Sequence, residues 1–141
     1  MSKKIHDVMH AGVESHAPDT SLATIAKTMK AKDIGAVPIL EKGKLIGMVT
    51  DRDIAVRALA NGRDVSKLTA KDVMTKGVAC CHESDSTVAA SRLMQERRIR
   101  RLPVVDESDK LVGMVSLGDL SHAMSEELSG RLAKAVSAHH K

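Results

Sequence analysis

The chain repeats itself. Residues 47–54 read Gly-Met-Val-Thr-Asp-Arg-Asp-Ile, and residues 113–120 read Gly-Met-Val-Ser-Leu-Gly-Asp-Leu. Each octamer holds a glycine, two apolar residues, a small hydroxyl residue, two variable positions, an aspartate and an aliphatic residue. A repeat of this specificity means two copies of one supersecondary unit, which restricts the fold more than any local propensity. It also sets a hydroxyl and a carboxylate three positions apart, twice.

The duplication extends well beyond the octamer. Met9 and Met74, Val13 and Val78, Met29 and Met94, and Pro38 and Pro103 each stand 65 positions apart. Gly47 and Gly113, Thr50 and Ser116, and Asp53 and Asp119 stand 66 apart. The extra residue therefore falls between the proline and the glycine, where a hairpin loop absorbs it.

Each copy opens with a short helical approach, Asp7-Val8-Met9 or Asp72-Val73-Met74, and then a short strand near 13–16 or 78–81. A helix follows. In the first copy Asp19, Thr20 and Ser21 offer capping groups, and Leu22, Ile25, Ala26 and Met29 recur at helical spacing. The second copy puts Thr87 over Leu22 and has a poorer apolar stripe. Ala36–Leu40 and Leu102–Val105 read as strands that begin beside a proline, which suits an edge or a strand start. Turns at 41–44 and 106–110 lead into 45–49 and 111–115, making hairpins. A second helix starts near Asp51 and ends at Asn61-Gly62.

A unit of strand, helix, two strands and helix has a sheet too small to stand alone, so two copies must pack together. The expected organisation is a first repeat over 5–60, a polar linker over 61–69, a second repeat over 70–121 and a helical tail over 122–141. The tail keeps helical spacing through Met124, Leu128, Leu132 and Val136, interrupted by Gly130. Met29, Met48, Met94 and Met114 sit where core filling is expected.

Composition removes several function classes. An apolar fraction of 43% supports a core, and no apolar run is long enough to span a bilayer. The N-terminus lacks the apolar stretch of a secretory signal, so a cytoplasmic protein is expected. There is no Phe, Tyr or Trp. A bound base would be held by aliphatic side chains, and the absence of stacking platforms argues against single-stranded nucleic acid as a partner. The net charge is only +4, and the densest basic run is Arg97-Arg98-Ile99-Arg100-Arg101. That run reads either as a solvated helix end or as an anion site.

Cys80 and Cys81 are adjacent, which suits neither an ordinary disulfide nor a four-ligand zinc site. His6, His10 and His16 read as surface residues. No metal site, catalytic triad, P-loop or HExxH pattern is expected, and the chain reads as a non-enzyme.

The two hydroxyl–carboxylate pairs admit two readings. Thr50 with Asp53 and Ser116 with Asp119 fit a capping box at a helix start, with an acid in place of the usual Glu. They also fit a nucleotide site, because a carboxylate suits a vicinal diol and a helix start suits phosphate. The two roles are compatible.

The paired Asp-Val-Met lead-ins, the Val-Pro and Leu-Pro strands and the Gly-x-x-Thr/Ser-x-x-Asp octamers resemble the CBS-domain pair, a regulatory module that binds adenine nucleotides. The resemblance runs from Ile5 to Leu120. It implies an α+β fold of tandem CBS repeats, each with a short mixed sheet, packed about a pseudo-twofold axis. It implies AMP, ADP or ATP as regulatory ligand, no catalytic cofactor, and a homodimer that could engage a regulated protein partner. By the same resemblance Asp53 and Asp119 would bind ribose, and Thr50, Ser116, Arg100, Arg101 and Arg52 would contact phosphate. Gly12, Val13, Ile34, Val37 and Pro38 would wall one base pocket. Gly77, Val78, Ile99, Leu102 and Pro103 would wall the other. The second copy has Leu117-Gly118 where the first has Asp51-Arg52, and Arg100-Arg101 where the first has Gly35-Ala36, so two unequal sites are expected. The alternative is an interaction module with vestigial ligand sites.

Overall fold

The computed structural model describes residues 3–126. In chain order the early elements are α1 (Ile5–Val8), α2 (Leu22–Lys32), β1 (Ala36–Glu41), β2 (Lys44–Thr50) and α3 (Asp51–Asp53), which runs on as a π-helical stretch over Ile54–Leu59. A 3₁₀ turn at Val65–Lys67 leads to α4 (Ala70–Val73). The later elements are β3 (Cys81–His82), α5 (Thr87–Arg97), β4 (Arg101–Val105) and β5 (Leu111–Ser116), with a final helix α6 over 117–126. Mixed helix and small sheets match the expected α+β class.

The residues gather into two compact units. The first unit holds Gly12–Val78 and Glu107–Leu111. Among the described residues the second holds 3–11, Ala79–Asp106 and 112–126.

In the first unit β1 and β2 form an antiparallel hairpin with Val37 opposite Val49 and an irregularity between Ile39 and Leu40. Lys42 and Gly43 both have positive φ, 54° and 81°, the combination that closes a two-residue turn with the twist of the strands. The Ser21 hydroxyl accepts the Thr24 N–H at 3.2 Å and starts α2. Leu22, Ile25 and Met29 then face Val37, Ile39 and Val49 in one core. Ala26, expected on that stripe, is exposed. The stretch 61–69 is less of a free connector than its polarity suggests. Leu68 is buried in the first core and Val65 packs against it.

The second unit repeats the plan. The Ser86 hydroxyl accepts the Ala89 N–H at 3.1 Å. Thr87, Ala90 and Met94 are the buried positions of α5, in phase with Leu22, Ile25 and Met29. Its core adds Leu102, Val104, Val115 and Leu120. The sheet order is β3-β4-β5, with β3 parallel to β4 through Cys81 opposite Val104. In the first unit the matching strand shrinks to one parallel bridge, His16 opposite Ile39. Pairing thus begins at His16 and Cys81, at the end of the stretches expected to be strand. Of the methionines expected in the core, Met29, Met48 and Met94 are buried and Met114 is half-buried.

The lead-in segments are exchanged. α1 and His10 belong to the unit of the second hairpin, and α4 with Thr75 to the unit of the first. His10 N–H donates to the Met114 carbonyl at 2.8 Å, and Met114 N–H returns to His10 at 3.0 Å. Met48 and Thr75 exchange the same pair of bonds at 3.1 and 2.9 Å. The spatial units therefore cut across the repeat boundaries read from sequence. This also explains the octamer glycines. A Cβ on Gly113 would lie 2.7 Å from the His10 carbonyl oxygen and 2.9 Å from Met9 Sδ. One on Gly47 would lie 2.7 Å from Met74 Sδ and 3.0 Å from the Thr75 carbonyl oxygen. The tail residues Leu128, Gly130, Leu132 and Val136 lie outside the described residues.

Two stability predictions follow from this packing. Gly113→Ala and Gly47→Ala should each destabilise the fold, by about 1–3 kcal/mol for overpacking of this kind. Gly113→Ala should cost more, because its nearest obstacle is backbone rather than a thioether; urea unfolding of both variants checks the order. Separately, the Thr87 hydroxyl oxygen is buried without a hydrogen-bond partner. Thr87→Val keeps the shape and removes that group, so its urea midpoint should match or exceed the parent's, by up to about 1–3 kcal/mol of stability.

Candidate functional site

Both octamers close a reciprocal cap where a strand turns into a helix. The Thr50 hydroxyl accepts the Asp53 N–H at 3.0 Å, while Asp53 Oδ2 accepts the Thr50 N–H at 2.9 Å. Ser116 and Asp119 repeat the arrangement at 3.0 and 2.9 Å. The capping reading is therefore correct, and it uses one oxygen of each carboxylate. The other oxygen, Oδ1, faces a basic side chain in both units.

The two basic groups come from different places. Asp53 Oδ1 lies 3.6 Å from Arg57 Nε, one turn along its own helix. Asp119 Oδ1 lies 3.1 Å from His10 Nε2, on the exchanged lead-in. An ionised carboxylate only accepts, so that histidine nitrogen carries the donated hydrogen. Neither group was singled out from sequence as a site residue. Arg57 had a local signal, the i, i+4 spacing from an acid. His10 had none, since Asp119 is 109 positions away.

Burial raises the pKa of Asp119, but the hydrogen bonds of the Ser116 backbone and side chain, and of His10 with its charge, outweigh it and hold the carboxyl below its ordinary value. Cys81 is the opposite case. Burial first, and then Asp85 and Cys80, push its thiol up to about 12, so it stays protonated near neutral pH.

The remaining expected site residues fall into three groups. Arg52, Arg100 and Arg101 are exposed. The Arg100 carbonyl accepts the Leu117 N–H at 2.8 Å, as the Gly35 carbonyl accepts that of Asp51 at 2.9 Å. The exchange of Gly35 for Arg100 has a steric reason: a Cβ at Gly35 would lie 2.9 Å from Asp51 Oδ2, and Leu117 replaces that aspartate in the second copy. Val13, Ile34, Val78 and Ile99 are half-buried, and Gly12 and Gly77 are exposed with φ of 69° and 62°. Val37 and Leu102, expected on pocket walls, have no exposed surface. Both sit in the two cores beneath α2 and α5 and offer no side-chain surface to a ligand. Pro38 and Pro103 are buried as well.

Asp119 also opens on a cleft of about 290 Å³ within the second unit. Val8, His10, Gly118 and Ala123 line it, with Lys3, Asp7, His122 and Glu126 at its charged side. Lys3 and His122 both pair with Glu126, at 2.8 and 3.0 Å. Among the described residues no group of His, Cys, Asp or Glu is arranged to hold a metal ion, and no helix is long and apolar enough to cross a membrane.

The CBS-domain family model matches residues 5–59 and again 70–126. The chain belongs to the CBS-domain family. It is 40% identical over 134 residues to the CBS domain-containing protein YhcV of Bacillus subtilis, covering 94% of each chain. It is 34% identical over 131 residues to hypoxic response protein 1 of Mycobacterium tuberculosis, covering 92% of this chain and 91% of that one. Among solved structures it resembles the CBS-domain pair of protein MJ0100 in complex with 5-methylthioadenosine and S-adenosyl-L-methionine. The TM-score is 0.79 at 28% identity, over 90% of this chain and 99% of that one. It likewise resembles CBSX2 in complex with AMP, with a TM-score of 0.75 at 26% identity, over 87% and 96% of the two chains. The fold is thus that of a tandem CBS pair, and structures of that kind carry adenosine compounds.

The state of Asp119 has an acid-side consequence. Its folded pKa lies below the unfolded value, so its contribution is present above about pH 4 and fades as pH falls through the folded pKa. Asp119→Asn should lose less stability than the parent between pH 7 and pH 3 in urea titrations. Equal losses would show that the carboxylate is not specially held.

Proposed function

We propose that this CBS pair is a non-catalytic sensor that binds an adenosine-containing ligand, AMP, ADP or ATP, at one or both of the helix starts carrying Asp53 and Asp119. The observation that carries this reading is the division of labour within each carboxylate. One oxygen closes the cap and the other faces a basic side chain, Arg57 or His10. A ribose diol can take over that outward oxygen through charge-assisted hydrogen bonds worth about 1.5–3 kcal/mol each. Thr50 and Ser116 accept through their oxygens at the caps, which leaves each hydroxyl hydrogen to donate to phosphate. Arg52, Arg100 and Arg101 are exposed and free of the cores, as phosphate contacts must be. Val13, Ile34, Val78 and Ile99 supply half-buried apolar surface for a base, next to Gly12 and Gly77.

The bound adenosine compounds of the MJ0100 pair and of CBSX2 support the ligand class. The nucleotide acts by binding two states of the sensor, differing in the orientation of its repeats or subunits, with different affinity. We place it in the cytoplasm as a homodimer. The exposed apolar side chains Val56, Leu59, Leu117 and Met124, all on the helices after β2 and β5, support self-association.

Thermal unfolding with AMP, ADP and ATP tests the ligand. A nucleotide at 100 times its Kd should stabilise the fold by about 2.7 kcal/mol. The Asp53→Ala/Asp119→Ala double variant should lose the response. It also loses two caps, about 0.5–2 kcal/mol each, so ligand shifts are read against its own baseline. No shift with any nucleotide would favour the reading of an interaction module with vestigial sites.

A further inference from the structure

Position 57 of the first copy corresponds to position 123 of the second, with the same offset of 66 that relates Asp53 to Asp119. The residues there are Arg57 and Ala123, and the difference changes everything around the two aspartates. Arg57 is fastened at three points. Its Nη1 donates to the carbonyls of Val73 and Met74, at 3.3 and 3.2 Å, and its Nε faces Asp53 Oδ1. These carbonyls end α4, so the guanidinium serves as its C-terminal cap. In the second unit Ala123 reaches nothing comparable, and Gly118 stands where the first unit has Arg52. Gly118 and Ala123 both line the cleft beside Asp119.

We infer that Arg57 is a built-in occupant that withdraws Asp53 from ligand binding, so that the chain takes up nucleotide at Asp119 alone. This rests on the reading of the two aspartates as ribose acceptors. A ligand arriving at Asp53 must displace a guanidinium that is half-exposed but tethered to the Val73 and Met74 carbonyls. A ligand arriving at Asp119 displaces one imidazole, whose side chain is 74% exposed and can turn into water. Lys3 and His122, also on the cleft, both pair with Glu126. Arg57 therefore acts as a selectivity residue between two sites that share the same cap.

Isothermal titration of the full chain with AMP, and in parallel with ATP, reads the stoichiometry. The parent should bind one nucleotide per chain. Asp119→Ala should abolish binding. Arg57→Ala should bind two per chain, and so should Arg57→Met, which keeps the packed stem but removes the donors. The added event should vanish in Arg57→Met/Asp53→Ala. Circular dichroism confirms that each variant is folded. Two equal events in the parent overturn the inference, as does a single event lost in Asp53→Ala, or a stoichiometry of one in both Arg57 variants. In those three cases the nucleotide reading survives. Absence of any binding in parent and Arg57 variants overturns both.

Discussion

The contact between a lead-in methionine and an octamer glycine is what the rest of this structure depends on. Met9 lies on Gly113 and Met74 lies on Gly47, each in the space a Cβ would fill. The glycine lets the lead-in approach closely enough for a two-bond bridge to form, His10 with Met114 and Thr75 with Met48. That bridge gives each hairpin a further neighbour. It also carries His10 to Asp119 and puts the end of α4 within reach of Arg57. The cores and both aspartate environments follow from it.

The same cap serves both repeats, yet its surroundings have diverged. Thr50 with Asp53 and Ser116 with Asp119 have matching hydrogen bonds to within a tenth of an ångström. What differs is the basic group on the second oxygen and how it is held. Duplication preserved the backbone solution, because a helix start with unpaired N–H groups is penalised in either copy. The outward oxygen is under no such constraint, and there the copies are free to take different roles.

Much of this was legible in the sequence. The octamers, the 65-residue offset and the caps fix the hairpins, the helix starts and the phase of α5, whose poor stripe still places Thr87, Ala90 and Met94 inward. The exchange of lead-ins was not legible, because periodicity says which face of α1 or α4 is apolar but not which hairpin it meets. Val37 and Leu102 were expected on pocket walls and lie in cores, since a short strand under a helix buries side chains that simple alternation would leave open. His10 was read as surface. It is exposed, but its partner is distant in sequence, and such pairs leave no local pattern.

The exchange of lead-ins also sets an order of events during synthesis. Met48 and Thr75 are close in the chain, so the first hairpin can acquire its bridge early. His10 must wait for Met114, 104 positions later. α1 therefore leaves the ribosome long before the surface it covers exists, with the apolar face of Ile5 open to solvent. α1 therefore packs fully only after Val115 and Leu120, its partners in the same core, have been made. The second unit is thereby completed only once both hairpins exist.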